Sequence, residues 1–111
     1  MRQSEEQTPI QTLNDPDRTR RLSALQGLRD RASDRSGMAA GGRDVNNHIH
    51  THYSFSPYSP AKAVWMAAQA GLVTAGIMDH DTIAGAREFS EAGRIWGLPT
   101  TIGAECRVSF A

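Results

Sequence analysis

The chain has 111 residues, with 12 Lys or Arg against 12 Asp or Glu and a formal net charge of zero; that length supports one domain at most, and that balance gives no global attraction to nucleic acid or an anionic membrane. No apolar run approaches the roughly 18 residues of a membrane span and no apolar signal-peptide core opens the chain, so a soluble, cytoplasmic, non-exported protein is expected. The single cysteine, Cys106, excludes an intrachain disulfide framework and fits a reducing compartment.

Residues 1–44 form a polar, Arg-rich N-terminal segment, helical or disordered. One helix is predicted there. Asn14 or Asp15 serves as its N-cap, Pro16 takes the first helical position, and Leu22, Leu25 and Leu28 form a thin apolar stripe with Ala24 and Ala32 nearby. Arg18, Arg20 and Arg21 read as a solvated face among mixed charges, with a contact surface as the alternative. The small-residue stretch Ser36–Gly42 reads as a flexible connector.

From Val45 the pattern changes. If Val45 to His52 is a strand, alternation puts His48, His50 and His52 on one face, about 6.6 Å apart per step, close enough for neighbouring imidazoles to share a metal ion. The plainer alternative is a half-exposed strand with titrating surface histidines. A loop, Tyr53 to Tyr58, leads to Ser59 as N-cap and Pro60 at the first helical position. The helix runs to Ala70 with an apolar face of Val64, Trp65, Ala67 and Ala68, and Gly71 ends it in left-handed geometry. Leu72 to Met78 is nearly continuous in apolar residues, as in a strand buried on both faces. Asp81 or Thr82 then caps a helix carrying Ile83, Ala86, Phe89, Ala92 and Ile95, which Gly97 and Pro99 terminate. Strands are thus expected near Val45 to Thr51, Val73 to Met78 and Thr100 to Val108, with helices near Pro60 to Ala70 and Thr82 to Trp96.

This is a βαβαβ unit of α/β class with right-handed crossovers and parallel strands. Such folds gather their chemistry at the carboxyl ends of strands, where this chain carries His48, His50 and His52, then Asp79, His80 and Asp81, then Glu105. Singly these can be turn residues, caps or surface charges. Together they suit a divalent metal site. Cys106 reads as a buried small apolar residue rather than a ligand.

The ordered motifs His48-Ile49-His50-Thr51, Gly76-Ile77-Met78-Asp79-His80-Asp81-Thr82 and Ile102-Gly103-Ala104-Glu105-Cys106 together resemble the N-terminal part of the PHP family, the polymerase and histidinol phosphatase domain, over Asn46 to Val108. The resemblance implies a distorted seven-stranded relative of the TIM barrel, with two or three divalent ions at the carboxyl ends of its strands. Family members hydrolyse phosphate esters, or serve as proofreading or vestigial modules in bacterial replicative polymerases. On this resemblance His48, His50, His80 and Glu105 match metal ligands. Asp79 is a carboxylate behind them able to orient a histidine ring, and His52 and Asp81 are possible further ligands. The implied cofactors are zinc, manganese or iron, the attacking group is water activated by the metal, and the substrate is a phosphorylated small molecule or nucleotide. Nucleic acid as a partner finds no support in the composition.

Two departures matter. Many members place an Asp or His in the loop where this chain offers Ser54, Ser56, Pro57 and Ser59, and the family's later ligands lie beyond Ala111. Residues 45–111 are therefore expected to be the first part of a truncated PHP-like domain that needs the remaining barrel or self-association, with weak or no activity by itself. A non-catalytic binding or structural module is the alternative.

Overall fold

The computed structural model describes residues 8–32, 44–54 and 56–106. Helices and strands follow one another as α1 (8–12), α2 (Arg18–Ala32), β1 (Val45–Ile49), α3 (Pro60–Gln69), β2 (Thr74–His80), α4 (Ala86–Trp96) and β3 (Thr100–Glu105). The sheet has the order β1-β2-β3, and both pairings are parallel. The expected βαβαβ alternation is therefore present. The portion of the third strand expected beyond Cys106 lies outside the described residues.

Local chemistry sets most boundaries. Ser59 caps α3 by accepting the Lys62 N–H at 3.0 Å, and Pro60 opens the helix. Gly71 follows α3 at φ 82°, where its N–H meets the Ala68 carbonyl at 3.0 Å and the Leu72 N–H meets that of Ala67 at 3.1 Å. These are the paired bonds of a Schellman end, which needs a residue free of the left-handed penalty. Two helix starts differ from expectation. Helix α2 begins at Arg18, because the Asp17 side chain accepts the Thr19 N–H at 3.0 Å and its carbonyl accepts the Arg21 N–H. Helix α4 begins at Ala86, because β2 runs on through His80 and Asp81 turns the chain at φ 56°. Thr82 only closes a local turn with the Ala84 N–H.

The core lies between one face of the sheet and the helices. Val64 and Ala67 of α3 and Phe89, Ala92 and Trp96 of α4 meet Ala75 and Ile77 of β2. Leu25 and Leu28 bring α2 into the same cluster as a third layer, and each such large side chain contributes about 1.5–3 kcal/mol over exposure. Arg21 departs from the expected solvated face, being 3% exposed. Its Nε and Nη2 donate to Glu88 Oε2 and Oε1 at 2.8 and 2.5 Å, and its Nη1 donates to the Asp15 carbonyl at 2.7 Å.

The expectation that β2 is buried on both faces holds on one side only. Ala75, Ile77 and Asp79 point into the helical layer and are buried, whereas Met78 and His80 on the other face are half-buried. That second face is covered by no helix among the described residues, because both crossovers place their helices on the same side. Cys106 is exposed rather than buried, since it follows the last residue of an edge strand.

Candidate metal centre

A bulge in β1 aims the first two histidines. Asn46 pairs with Ala75 and Ile49 with Ile77, so Asn47 and His48 together oppose Gly76. The extra residue returns Ile49 to the helical side and leaves His48 and His50 on the open side, where regular alternation from Asn46 would have reversed them. The Asn46 side chain accepts the His48 N–H at 2.9 Å and stabilises the kink. Gly76 leaves the room it needs: a Cβ there would sit 2.8 Å from Asn47 Cα.

His80 and Glu105 are direct neighbours across β2 and β3 and face the same open side. The four side chains meet at the carboxyl end of the sheet. His48 and His50 lie edge to face with ring centroids 5.0 Å apart, and His50 stacks on His80 at 4.7 Å. His48 Nε2 contacts Glu105 Oε1, His50 Nε2 lies 3.4 Å from the same oxygen, and His80 Nδ1 lies 3.5 Å from Oε2. Ligand atoms of His48, His50 and Glu105 all fall within 4.8 Å of one another. Glu105 Oε1 is buried and accepts no hydrogen bond despite the ring nitrogens facing it. Imidazole nitrogens converging on such a carboxylate form a donor set that fits a divalent cation.

The other candidates are placed differently. The strand ends at Ile49, so His52 loses the alternation it was expected to follow; it is exposed, its ring packs on Tyr53 at 4.5 Å, and its N–H bonds the Tyr58 carbonyl. Asp81 is exposed in left-handed geometry, its N–H donating to the Glu105 carbonyl at 2.7 Å. Asp79, 1% exposed, lies on the helical side of β2. It holds the Thr51 N–H at 2.6 Å, the Thr51 hydroxyl at 2.7 Å and the Ser54 hydroxyl at 3.2 Å, and its bonds go to these groups rather than directly to a histidine ring.

Thr51 and Ser54 have roles at the site that the metal-ligand motifs do not reveal. The turn from Thr51 to Ser54, closed by the Ser54 N–H on the Thr51 carbonyl at 2.8 Å, folds both hydroxyls over the end of β2. Their sole sequence signal was small hydroxyl residues one and four places after His50, beside a strand that ends in an aspartate. The loop is also held from behind: Asn14 donates to the Pro57 carbonyl at 2.8 Å and accepts the Ser59 N–H at 2.7 Å, and Ser59 Oγ bonds the Leu13 carbonyl.

The chain is similar to error-prone DNA polymerases. It is 36% identical over 66 residues to the one from Nocardia farcinica and 41% identical over 60 residues to the one from Corynebacterium diphtheriae, covering 58% and 52% of this chain. The matched stretch spans only 6% of the length of each relative. No family model matches the chain, and no solved structure matches it. Among the described residues, no helix is long and apolar enough to cross a membrane.

Proposed function

We propose that these residues carry one side of a PHP-type divalent-metal centre for phosphate-ester hydrolysis within a polymerase-related protein. The observation that carries this reading is the convergence of His48, His50 and Glu105, whose ligand atoms lie within 4.8 Å of one another, with His80 Nδ1 3.5 Å from Glu105 Oε2. Imidazole nitrogens on three sides of one carboxylate form an arrangement that a divalent cation placed among them stabilises. The similarity to error-prone DNA polymerases supports the same reading, since the three motifs resemble a family with members in bacterial polymerases.

His48, His50, His80 and Glu105 would hold the ion, and their imidazole-rich set favours zinc or iron over manganese. When bound, the ion would lower the pKa of a coordinated water towards neutrality and polarise a phosphoryl oxygen. The protein's own part is to aim three rings at one carboxylate and hold that arrangement from the buried Asp79 side. The remaining strands of a distorted TIM-like barrel would close the open sheet face and exclude water from the site, which strengthens electrostatic stabilisation there. The substrate class is a phosphorylated small molecule or nucleotide.

A non-catalytic module that binds the ion without turnover is the second reading, and the same experiment separates the two. The test is to chelate the purified chain, add back zinc, manganese or iron, and measure bound metal in wild type, His48→Ala and Glu105→Gln. Stoichiometric metal lost in both variants is expected; no bound metal in wild type would overturn the centre. Metal-dependent turnover of an aryl phosphate then separates an enzyme from a module that binds metal without turnover.

A further inference from the structure

We propose that Asn14 is a positioning residue for the metal centre: its side-chain amide clamps the loop between β1 and α3, and that loop holds His50 and His80 in place. The amide bonds in two directions at once. Its Nδ2 donates to the Pro57 carbonyl at 2.8 Å and its Oδ1 accepts the Ser59 N–H at 2.7 Å. A carbonyl and an N–H two residues apart are what one edge of an extended segment presents, and Ser59 is extended at φ −66° and ψ 160°. The amide, with a donor and an acceptor side by side, thus stands in for a neighbouring strand along Pro57 to Ser59. Leu13 adds a third tie, its carbonyl accepting the Ser59 hydroxyl.

From there the bonding runs on to the site. The Tyr58 carbonyl, between the two clamped residues, accepts the His52 N–H at 2.7 Å and ties one arm of the loop to the other. That other arm is the Thr51–Ser54 turn, fastened to Asp79 by the Thr51 N–H at 2.6 Å and the Thr51 hydroxyl at 2.7 Å. Ser54 Oγ lies 3.1 Å from His50 Nδ1 and accepts the His80 N–H at 3.0 Å. A shift of Pro57 to Ser59 therefore moves the hydroxyl that meets one histidine's ring and the other's backbone, because a contiguous hydrogen-bonded network passes such a shift along. Leu13 and Asn14 precede Asn46, so the N-terminal segment supplies this support from outside the stretch that resembles the PHP family. The start of α3 is held separately, by Glu88 Oε2 on the Ala61 N–H at 3.1 Å and by Arg21 on Glu88. Loss of the Asn14 amide consequently loosens the loop without releasing the helix.

The clamp follows from these hydrogen bonds alone; its coupling to metal rests on the proposed function. The test measures zinc affinity of the full 111-residue chain, by competition with a chromophoric chelator, in wild type, Asn14→Ala, Asn14→Asp and Leu98→Val. Leu98 is buried just before the amino end of β3, away from the loop, so its variant registers lost stability alone. Asn14→Ala should bind zinc about fivefold or more weakly, the lower end of ordinary couplings between sites, while Leu98→Val should bind as wild type does. Asn14→Asp keeps the acceptor for Ser59 but sets an oxygen against the Pro57 carbonyl, and should lose affinity too. Coupling is reciprocal, so zinc should slow exchange of the wild-type Asn14 side-chain amide protons with water, read by NMR, by the same factor. Equal zinc affinity in wild type and the Asn14 variants, an equal loss in Leu98→Val, or amide exchange that zinc leaves unmoved overturns the proposal and leaves the centre standing. Should Asn14→Ala not fold, Asn14→Asp and the wild-type amide exchange decide. A wild type that holds no zinc removes the centre, and the coupling with it.

Discussion

Replacing Arg21 by Met keeps most of the side-chain volume and removes the guanidinium that ties α2 to α4. The pair is almost wholly out of water, Arg21 at 3% and Glu88 at 2% exposure. Loss of Arg21 strips its donors from Glu88 Oε1 and the Asp15 carbonyl, and among the described residues leaves Glu88 with only the Ala61 N–H on Oε2 at 3.1 Å. Removing one partner of such a pair costs about 3–5 kcal/mol, a large share of the roughly 5–15 kcal/mol that holds a domain folded. With a urea dependence of about 2 kcal/mol per molar, the unfolding midpoint should fall by about 2 M. Trp96 is a suitable reporter, being 5% exposed with the Arg29 guanidinium 5.6 Å from its ring centre.

Combining Arg21→Met with Glu88→Leu removes the orphaned charge, so most of the loss should be recovered. The pKa of Arg21 is raised, first by its hydrogen bond to Glu88 and then by that carboxylate's charge, against desolvation. A raised cationic pKa means a stabilisation fully present below the unfolded value and lost only as pH climbs through the folded one. Both lie far into the alkaline range, so on Arg21's account the penalty should be equal at pH 7 and pH 9. A single-variant cost below about 1 kcal/mol, the scale of an exposed pair, would refute the reasoning, as would a double variant no more stable than the single one.

Three further outcomes are expected. Gly76→Ala forces a Cβ to within 2.8 Å of Asn47 Cα, a backbone atom that cannot swing aside, so thermal melting should show a loss of about 1–3 kcal/mol, with an unchanged melting temperature arguing against the bulge. Asn14→Ala removes the partner of the Pro57 carbonyl and the Ser59 N–H, and should cost about 0.5–1.5 kcal/mol and speed hydrogen exchange over residues 51–59; unaltered exchange there would show that the loop holds itself. Zinc at a hundred times its dissociation constant should stabilise the wild type by about 2.7 kcal/mol through mass action, reversed by chelator and absent in Glu105→Gln; equal stabilisation of that variant would place the ion elsewhere.

Most of the fold was legible because its signals are local. The switch to alternating apolar runs after Val45, the Ser59-Pro60 start, and Gly71 and Gly97 at helix ends each act through neighbouring backbone, so they read the same in sequence and in structure. The convergence of His48, His50, His80 and Glu105 was also readable, since parallel strands bring their carboxyl ends to one rim. Helix starts were less so. Asp17 and Gly85 flank the observed helices, whereas several equally polar neighbours offered plausible caps.

Only the tertiary structure decided the rest, because those features depend on partners far apart in the chain. Arg21 has the sequence surroundings of a solvated arginine, and becomes buried only because Glu88, 67 residues away, is brought over it. The β1 bulge depends on Gly76 lying opposite, and it sets which side of the sheet His48 and Ile49 take. Strand β2 extends two residues past Met78, which sends Asp79 and His80 to opposite faces and gives one to the Thr51–Ser54 turn and the other to the cluster. The residue types and order along this chain thus determined the alternating parallel unit and the metal-compatible rim, through local bonding and strand direction. The buried supports of that rim were decided by packing, because a hydrogen bond across 25 or more residues leaves no periodicity in the sequence to be read.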